Sequence, residues 1–557
     1  MIHTVSIFLC LFSISLHLKN QALDTKCQPN YISYKQTGKF TKIVLDYIEA
    51  VPELKEFYEH EVDLEGIKAA IEARKSFDTN RRLLVDQFEQ QYKDHNDCEA
   101  VKANVHQLLD ENTFTICTAH QPNIFTGHLY FIYKILHIIK ISDSLKMKMP
   151  EYNFVPVFFM GSEDADLAEL NHIVIDGEKY EWKTKQTGAV GRMKVDNDLL
   201  ILVESISGRL KVEKYGNSII SLMRACFTKG RTIEEATFLF VHELFKEFGL
   251  LILLPDNADY KKEMLSIFED DIFNHTSSKI VNETSEKLAK NFKAQAYPRE
   301  INLFYLKDSL RNRIVQVNDH YVVHDTEIVF SKDEIKKELN SYPERFSPNV
   351  VLRGLFQEFI LPDVAWIGGG GELAYWLQLK DLFKHYSVPY PVLVVRNSFL
   401  IIDEKCNQLL TKLNLNPADL FKGQEKLLNE IVKNGSKAQL NLAPEIQQFR
   451  VVYDKIKILA SAVDTTLGEH TAALETKHLK TLSALEKKML RAEKRKFETQ
   501  KNQLRKIFST LFPDNGLQER TENFMLFYSK WGNDFIKILY ENSLTLQQEF
   551  CITMIED

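Results

Sequence analysis

Apolar positions along the chain change period several times, and each change predicts a change of element. From about Asp24 to Asn112 they recur mostly at helical spacing, as in FTKIVLDYIEAV and LLVDQFEQQY. FTIC at 114–117 then gives way to a Pro-containing polar stretch and to Leu129, Ile132, Leu136 and Ile139. That order reads as strand, loop and amphipathic helix, with Thr126 as the expected N-cap. FVPVFFM at 154–160 is apolar without alternation. Such a run suits a strand covered on both faces, hence a parallel sheet between layers of helices. HIVIDGEKYEW predicts a hairpin turning at Asp176-Gly177. Residues 232–248 read as a helix feeding a buried strand in LLILLPD, and NLFYL, RIVQV and HYVVH read as a small inserted meander between about 297 and 330. VAWI, ELAYWLQL and PVLVV return to strand, helix and strand.

The expected fold class is α/β: a Rossmann-like parallel-sheet core over 24–400, interrupted by inserted connecting segments at about 172–345. From 401 to 515 the chain turns to long charged helices, with breaks at Asn434-Gly435 and Gly468 and terminators at Pro513 and Gly516. Leu467, Leu474, Leu482, Met489, Phe497 and Leu504 recur every seven or eight positions, about 3.7 residues per turn, so a nearly straight coiled-coil arm is expected. The preceding helix, carrying Val452, Ile456, Leu459 and Val463, is expected to fold back over the N-terminal half of this stripe. Met489, Phe497 and Leu504 would then await a second subunit, making the chain a homodimer. Residues 516–557 read as a short helical segment.

Composition narrows the class. Hydrophobic residues at 44% and aromatic ones at 11% supply packed cores, while a formal net charge of −7 argues against a nucleic-acid coat. Neither nucleic acid nor membrane is an expected partner. Seven scattered cysteines without CxxC spacing suggest neither a disulfide framework nor a zinc knuckle, and point to a reducing, cytoplasmic location. MIHTVSIFLCLFSISLHLKNQA resembles the apolar part of a signal peptide, but no Lys or Arg precedes Lys19 and no A-x-A site follows. Residues 1–23 are therefore expected to be a dispensable extension.

GxxxxGK[ST], GxGxxG and HExxH are all absent from the sequence. Candidate chemistry lies instead in three clusters that follow predicted strands. One is the loop with His120, Gln121, Asn123, Thr126, Gly127 and Tyr130; the second is GSEDADLAELNH, with Glu163, Asp164, Asp166, Glu169, Asn171 and His172. The third is Gly368, Gly369, Gly370 and Gly371, followed by Glu372 and Tyr375. In open α/β sheets ligands bind beyond the carboxyl ends of the strands, so the three clusters are expected to line one crevice. Backbone N–H groups there attract anions, and glycines permit positive φ and close approach to a ligand. Carboxylates there could hold Mg²⁺ beside phosphates or take a proton from an amine.

HQPNIFTGHLYFIYK, VPVFFMGSEDADLAELNH, SPNVVLRGLFQEFILPDVAWIGGGGELAYWLQL, PVLVVRNS and FPDNGLQER occur in that order. From about Asp24 onward the chain resembles the cysteine-adding enzymes of bacillithiol biosynthesis, the BshC family. The resemblance implies a ligase joining L-cysteine to glucosaminyl-malate in the last step of that route. It also implies a core similar to class I aminoacyl-tRNA synthetases and a homodimer held by the coiled-coil arm. Phe125-Thr126-Gly127-His128 even resembles the synthetases' His-Ile-Gly-His. Ala165 stands where the family has a histidine, and Gly370 where proline is frequent. Amide formation needs an activated carboxyl group, so ATP or another nucleotide with Mg²⁺ is expected, and no tightly bound metal. On this reading His120, Glu163, Asp164 and His172 are catalytic. Arg353 and Arg396 pair with the malate carboxylates. Asn397 and the other loop residues bind substrate or nucleotide. The residues alone also leave open a nucleotidyl-transferring, synthetase-like enzyme of another substrate, or a non-catalytic coiled-coil scaffold.

Overall fold

The computed structural model describes residues 27–95 and 97–556, so the expected extension at 1–23 lies outside the described residues. Five parallel strands form the central sheet, in the order Val392–Val395, Asp363–Gly368, Thr113–His120, Asn153–Met160 and Leu251–Leu253. Every residue of Thr113–His120 is buried, as is all of Asn153–Met160 except its first residue, which explains runs without alternation. Chain order proceeds outward from Thr113–His120 on one side and resumes on its other side at Asp363–Gly368. A crevice forms at such a reversal, beyond the carboxyl ends of the two strands.

The sequence suggests that the central strand stops at Cys117, but its ladder continues to the pair His120↔Met160. His120 therefore ends a strand rather than beginning a loop. Nor does Thr126 cap the next helix, Tyr130–Lys148, which starts after Leu129 without any side-chain cap. Phe125 and Thr126 instead adopt φ of 50° and 70°, and the Asn523 amide donates to the carbonyls of Phe125 and Gly127 at 3.0 and 2.5 Å. Gly127 is required in this turn: its φ is +67°, and a Cβ would lie 2.7 Å from that of Asn123.

Two expectations about the ends of the core change. Cys27–Ser33, within the stretch that reads as helical, is a strand paired antiparallel with Glu549–Ile555. The C-terminal piece is thus not wholly helical, and it folds with the core: one unit comprises the described residues up to Ile401 together with those from Gly516 onward. The predicted meander is a five-stranded antiparallel sheet in the order Val329–Ser331, His320–Val323, Leu310–Val317, Leu303–Lys307, Phe346–Pro348. The predicted hairpin joins His172–Ile175 to Glu178–Glu181, with positive φ at both Asp176 and Gly177.

The other unit, Ile402–Asn515, is helical. Ala443–Val463 and Thr465–Lys494 form an antiparallel hairpin, with Tyr453 OH 2.7 Å from His478 Nδ1. Its break is at Asp464, whose carboxylate accepts from the Thr466 N–H, and not at Gly468. Gly468 lies inside the second helix, where a Cβ would come 2.3 Å from Ser461 Oγ. The preceding helix does fold back and leaves Leu474 and Leu482 half-buried, but the two ends of the apolar stripe differ from expectation. Leu504 is fully buried, with Gln424–Gly435 packed on its helix, and Phe497 is half-buried, its ring beside Gly435. Exposed apolar side chains include Val452, Ile456, Leu459, Val463 and Leu467 towards the turn of the hairpin, together with Val451, Ile458 and Leu485. Among the described residues no helix is long and apolar enough to cross a membrane.

Candidate active site at the carboxyl ends of the parallel strands

A cavity of about 470 Å³ opens where the sheet order reverses. His120, Gln121, Tyr130, Glu163, Asp164, Arg353, Gly369, Gly370, Gly371, Glu372, Tyr375 and Arg396 line it, so all three predicted clusters contribute to one crevice. Asn123, Thr126, Gly127, Asp166, Asn171, His172, Gly368 and Asn397 do not line it. Asn123 and Thr126 are buried and shape the turn behind the cavity. Asp166 caps the short helix Leu167–Leu170, and the Asn171 amide bonds the Trp182 carbonyl at 3.3 Å. His172 starts the hairpin with its Nδ1 3.2 Å from Asn171 Oδ1, outside the cavity lining. Asn397 bonds His137 and the Leu544 carbonyl.

Several lining groups are committed to the protein itself. Glu163 is bound by Lys261 and accepts from Ser347 Oγ at 3.2 Å; burial pushes its carboxyl up, against the pull of the lysine. It is a braced structural ion pair rather than an available base. Arg396 donates to Glu519 at 2.7 Å and to Ser398 Oγ at 3.1 Å, so it is not a free fork for a malate carboxylate. Glu372 accepts from the Gly369 N–H at 2.9 Å and pairs with the buried Lys134 at 2.5 Å.

Arg353 is different. Its Nη2 donates to Tyr375 OH at 2.6 Å, while its buried Nη1 has no hydrogen-bond partner. It lies in the first turn of Val350–Ile360, whose N-cap Asn349 also lines the cavity. An anion placed there would meet both an unsatisfied guanidinium N–H and a helix start. His120 Nε2 is likewise buried without a partner, and burial, with Lys134 next in weight, holds the imidazole pKa well below its ordinary value. The ring is therefore neutral, able to donate or accept one hydrogen bond.

The glycine run serves space rather than handedness, since none of the four has a positive φ. A Cβ at Gly368 would strike the Trp366 ring at 1.9 Å, and one at Gly370 would meet Val44 at 2.7 Å. Gly371 alone of the four would put a Cβ into open space.

Sequence reasoning missed Arg311, Arg520, Asn349 and the buried partners Lys134, Lys261 and Glu519. Glu519 and Arg520 end the stretch FPDNGLQER, which reads first as a helix breaker. Arg311 sits in LRNRIVQV, which signals only a strand.

Comparisons with known proteins agree with this architecture. The family described as "Bacillithiol biosynthesis BshC, N-terminal Rossmann-like domain" matches residues 27–397, and "Bacillithiol biosynthesis BshC, C-terminal coiled-coil domain" matches 399–555. The protein named "Putative cysteine ligase BshC" in Flavobacterium johnsoniae is 39% identical over 526 residues, covering 94% of this chain and 99% of that protein. Its namesake in Flavobacterium psychrophilum is 37% identical, covering 94% and 98%. A solved structure titled as a putative arginyl t-RNA synthetase from Campylobacter jejuni covers 80% of this chain and 97% of that one, at 9% identity and a TM-score of 0.19. That likeness carries no weight here.

Proposed function

The chain belongs to the BshC family of bacillithiol biosynthesis, and we propose that it is the ligase joining L-cysteine to glucosaminyl-malate by an amide bond in the last step of that route. The observation that supports this reading most is a single cavity offering both an unpartnered guanidinium N–H, on Arg353, and carboxylates, Asp164 and Glu169. An aminosugar malate presents the complementary pair, carboxylates and an ammonium group. Arg353 and Arg311 would hold the carboxylates, and His120 would bond a neutral polar group beside them.

We further propose that ATP or another nucleotide, with Mg²⁺, activates the cysteine carboxylate. A donor is left for phosphates: Arg520 lines the same cavity, with backbone open at Gly371. A bound nucleotide would supply the activated acyl group, while this chain's residues orient the two substrates. A homodimer held by the helical unit and a cytoplasmic location complete the proposal; the exposed Val452, Ile456, Leu459, Val463 and Leu467 support the dimer. The test is to express the chain in a bacterium that makes bacillithiol but lacks its own family member, and to profile its thiols by mass spectrometry. Bacillithiol should return with the wild type and not with Arg353→Met; glucosaminyl-malate accumulating with the wild type, or bacillithiol restored equally by the variant, would refute the reading.

A further inference from the structure

Four carboxylates line the cavity, and two are already neutralised: Glu163 by Lys261, and Glu372 by Lys134. Asp164 and Glu169 remain; Gln121 is the side chain bonded to both, and the cation near them is the buried Arg311, whose charge attracts Asp164 while its Nε donates to Ser347 Oγ at 3.1 Å. One amide spans them, since Gln121 Nε2 donates to Asp164 Oδ2 at 3.1 Å and lies 3.5 Å from Glu169 Oε2. Asp164 Oδ1 accepts from the Asp166 N–H at 3.1 Å, which fixes its orientation. Glu169 follows the Asp166 cap in a helical turn, and its side chain is exposed at the cavity. A second feature of the same cavity points to a polar ligand: His120 is 9% exposed, and its Nε2 is buried without a partner. Because that ring is neutral, it sets no positive charge against an ammonium group.

Resting on the ligase reading, we propose that Asp164 and Glu169 form the amine subsite and that Glu169 is the catalytic base. The aminosugar arrives as an ammonium ion, held by Asp164 and Glu169 in place of a lysine. Glu169 accepts one proton, which leaves a neutral amine. Its lone pair forms the C–N bond to the carbonyl carbon of cysteine, activated as a mixed anhydride with a phosphoryl group. The C–O bond to that group breaks with its electron pair going to the phosphate, which also takes the second amine proton. Partial burial, then the charges of Asp164 and Asp166, raise the carboxyl of Glu169 above its ordinary value, which makes it a better proton acceptor than an unperturbed carboxylate.

The test has two arms, both on the full chain. In the first, glucosaminyl-malate and its N-acetyl derivative are titrated calorimetrically into the wild type and into an Asp164→Asn, Glu169→Gln double variant. The wild type should prefer the free amine by about tenfold or more, and the double variant should lose that preference. A wild type indifferent to acetylation overturns the subsite. In the second, Glu169→Gln should lower kcat by about 100-fold, leave KM for the aminosugar within about threefold, and lose the acidic limb of the pH–rate profile; Glu169→Asp should restore part of the rate. A Glu169→Gln enzyme that keeps that limb and nearly its full kcat overturns the base assignment. Failure of the wild type to turn over with any nucleotide would count against the ligase reading, while the binding arm still decides the amine subsite.

Discussion

Lys134 sits in the apolar helix behind the central strand, 1% exposed, with its ammonium on the Ala119 carbonyl at 2.9 Å and on Glu372. Burial pulls its pKa down, and Glu372 opposes the shift. Since Glu372 also accepts from the Gly369 N–H, one ion pair fixes the end of the central strand against the glycine turn. Lys134→Met should cost roughly 3 kcal/mol in urea denaturation, because it strands a partly buried carboxylate. Adding Glu372→Gln should recover most of that loss, whereas strictly additive losses would contradict the coupling. His137 gives a pH-dependent expectation. Its Nδ1 accepts from the Asn397 N–H at 3.2 Å and its Nε2 donates to the Thr545 carbonyl at 2.7 Å, so the ring must be neutral. Burial lowers its pKa to about 4, below the ~6.5 of an unfolded histidine. The native state therefore binds fewer protons in that window, and the stability His137 contributes above about pH 6.5 is lost as pH falls towards 4. The stability gap between the wild type and His137→Gln should narrow by roughly 2 kcal/mol from pH 7 to pH 5, and a constant gap would contradict this. Residues such as His120, Gln121 and Asp164 were readable because they cluster directly after apolar strands. Lys261 and Glu519 were not, because each acts on a residue about a hundred positions away, and spacing along the chain carries no trace of such pairs.

Among the elements, long apolar runs announced the sheet strands correctly, because burial on both faces leaves a signal within the strand itself. The pairing of Cys27–Ser33 with Glu549–Ile555 left none, since its partners lie at opposite ends of the described chain. In the helical hairpin, Asp464 ends one helix and caps the next, a capping signal that outweighs the nearby glycine. The side chains left exposed there are what support the proposed dimer. Leu459 is 69% and Val463 82% exposed, more than a lone hairpin should tolerate along one face. Ile456→Glu, Leu459→Glu and Val463→Glu together should convert a sedimenting dimer into a folded monomer; a wild type already monomeric at high concentration would contradict the proposed dimer.

At the scale of the whole molecule, strand order decides where chemistry is possible. Progression to one side of Thr113–His120 and return to the other places His120, Asp164 and the glycine turn around one cavity, whatever lies in the inserted segments. This convergence followed from position after strands, whereas the cavity's arginines from the meander and the C-terminal segment required the folded chain. The central claim is that this cavity joins cysteine to an aminosugar. Its most direct measurement incubates the purified chain with L-cysteine, glucosaminyl-malate and each nucleoside triphosphate with Mg²⁺, and reads the product by mass spectrometry. The account predicts the cysteinyl amide from the wild type with one of the nucleotides and none from Arg353→Met; amide formed equally by both proteins would contradict it.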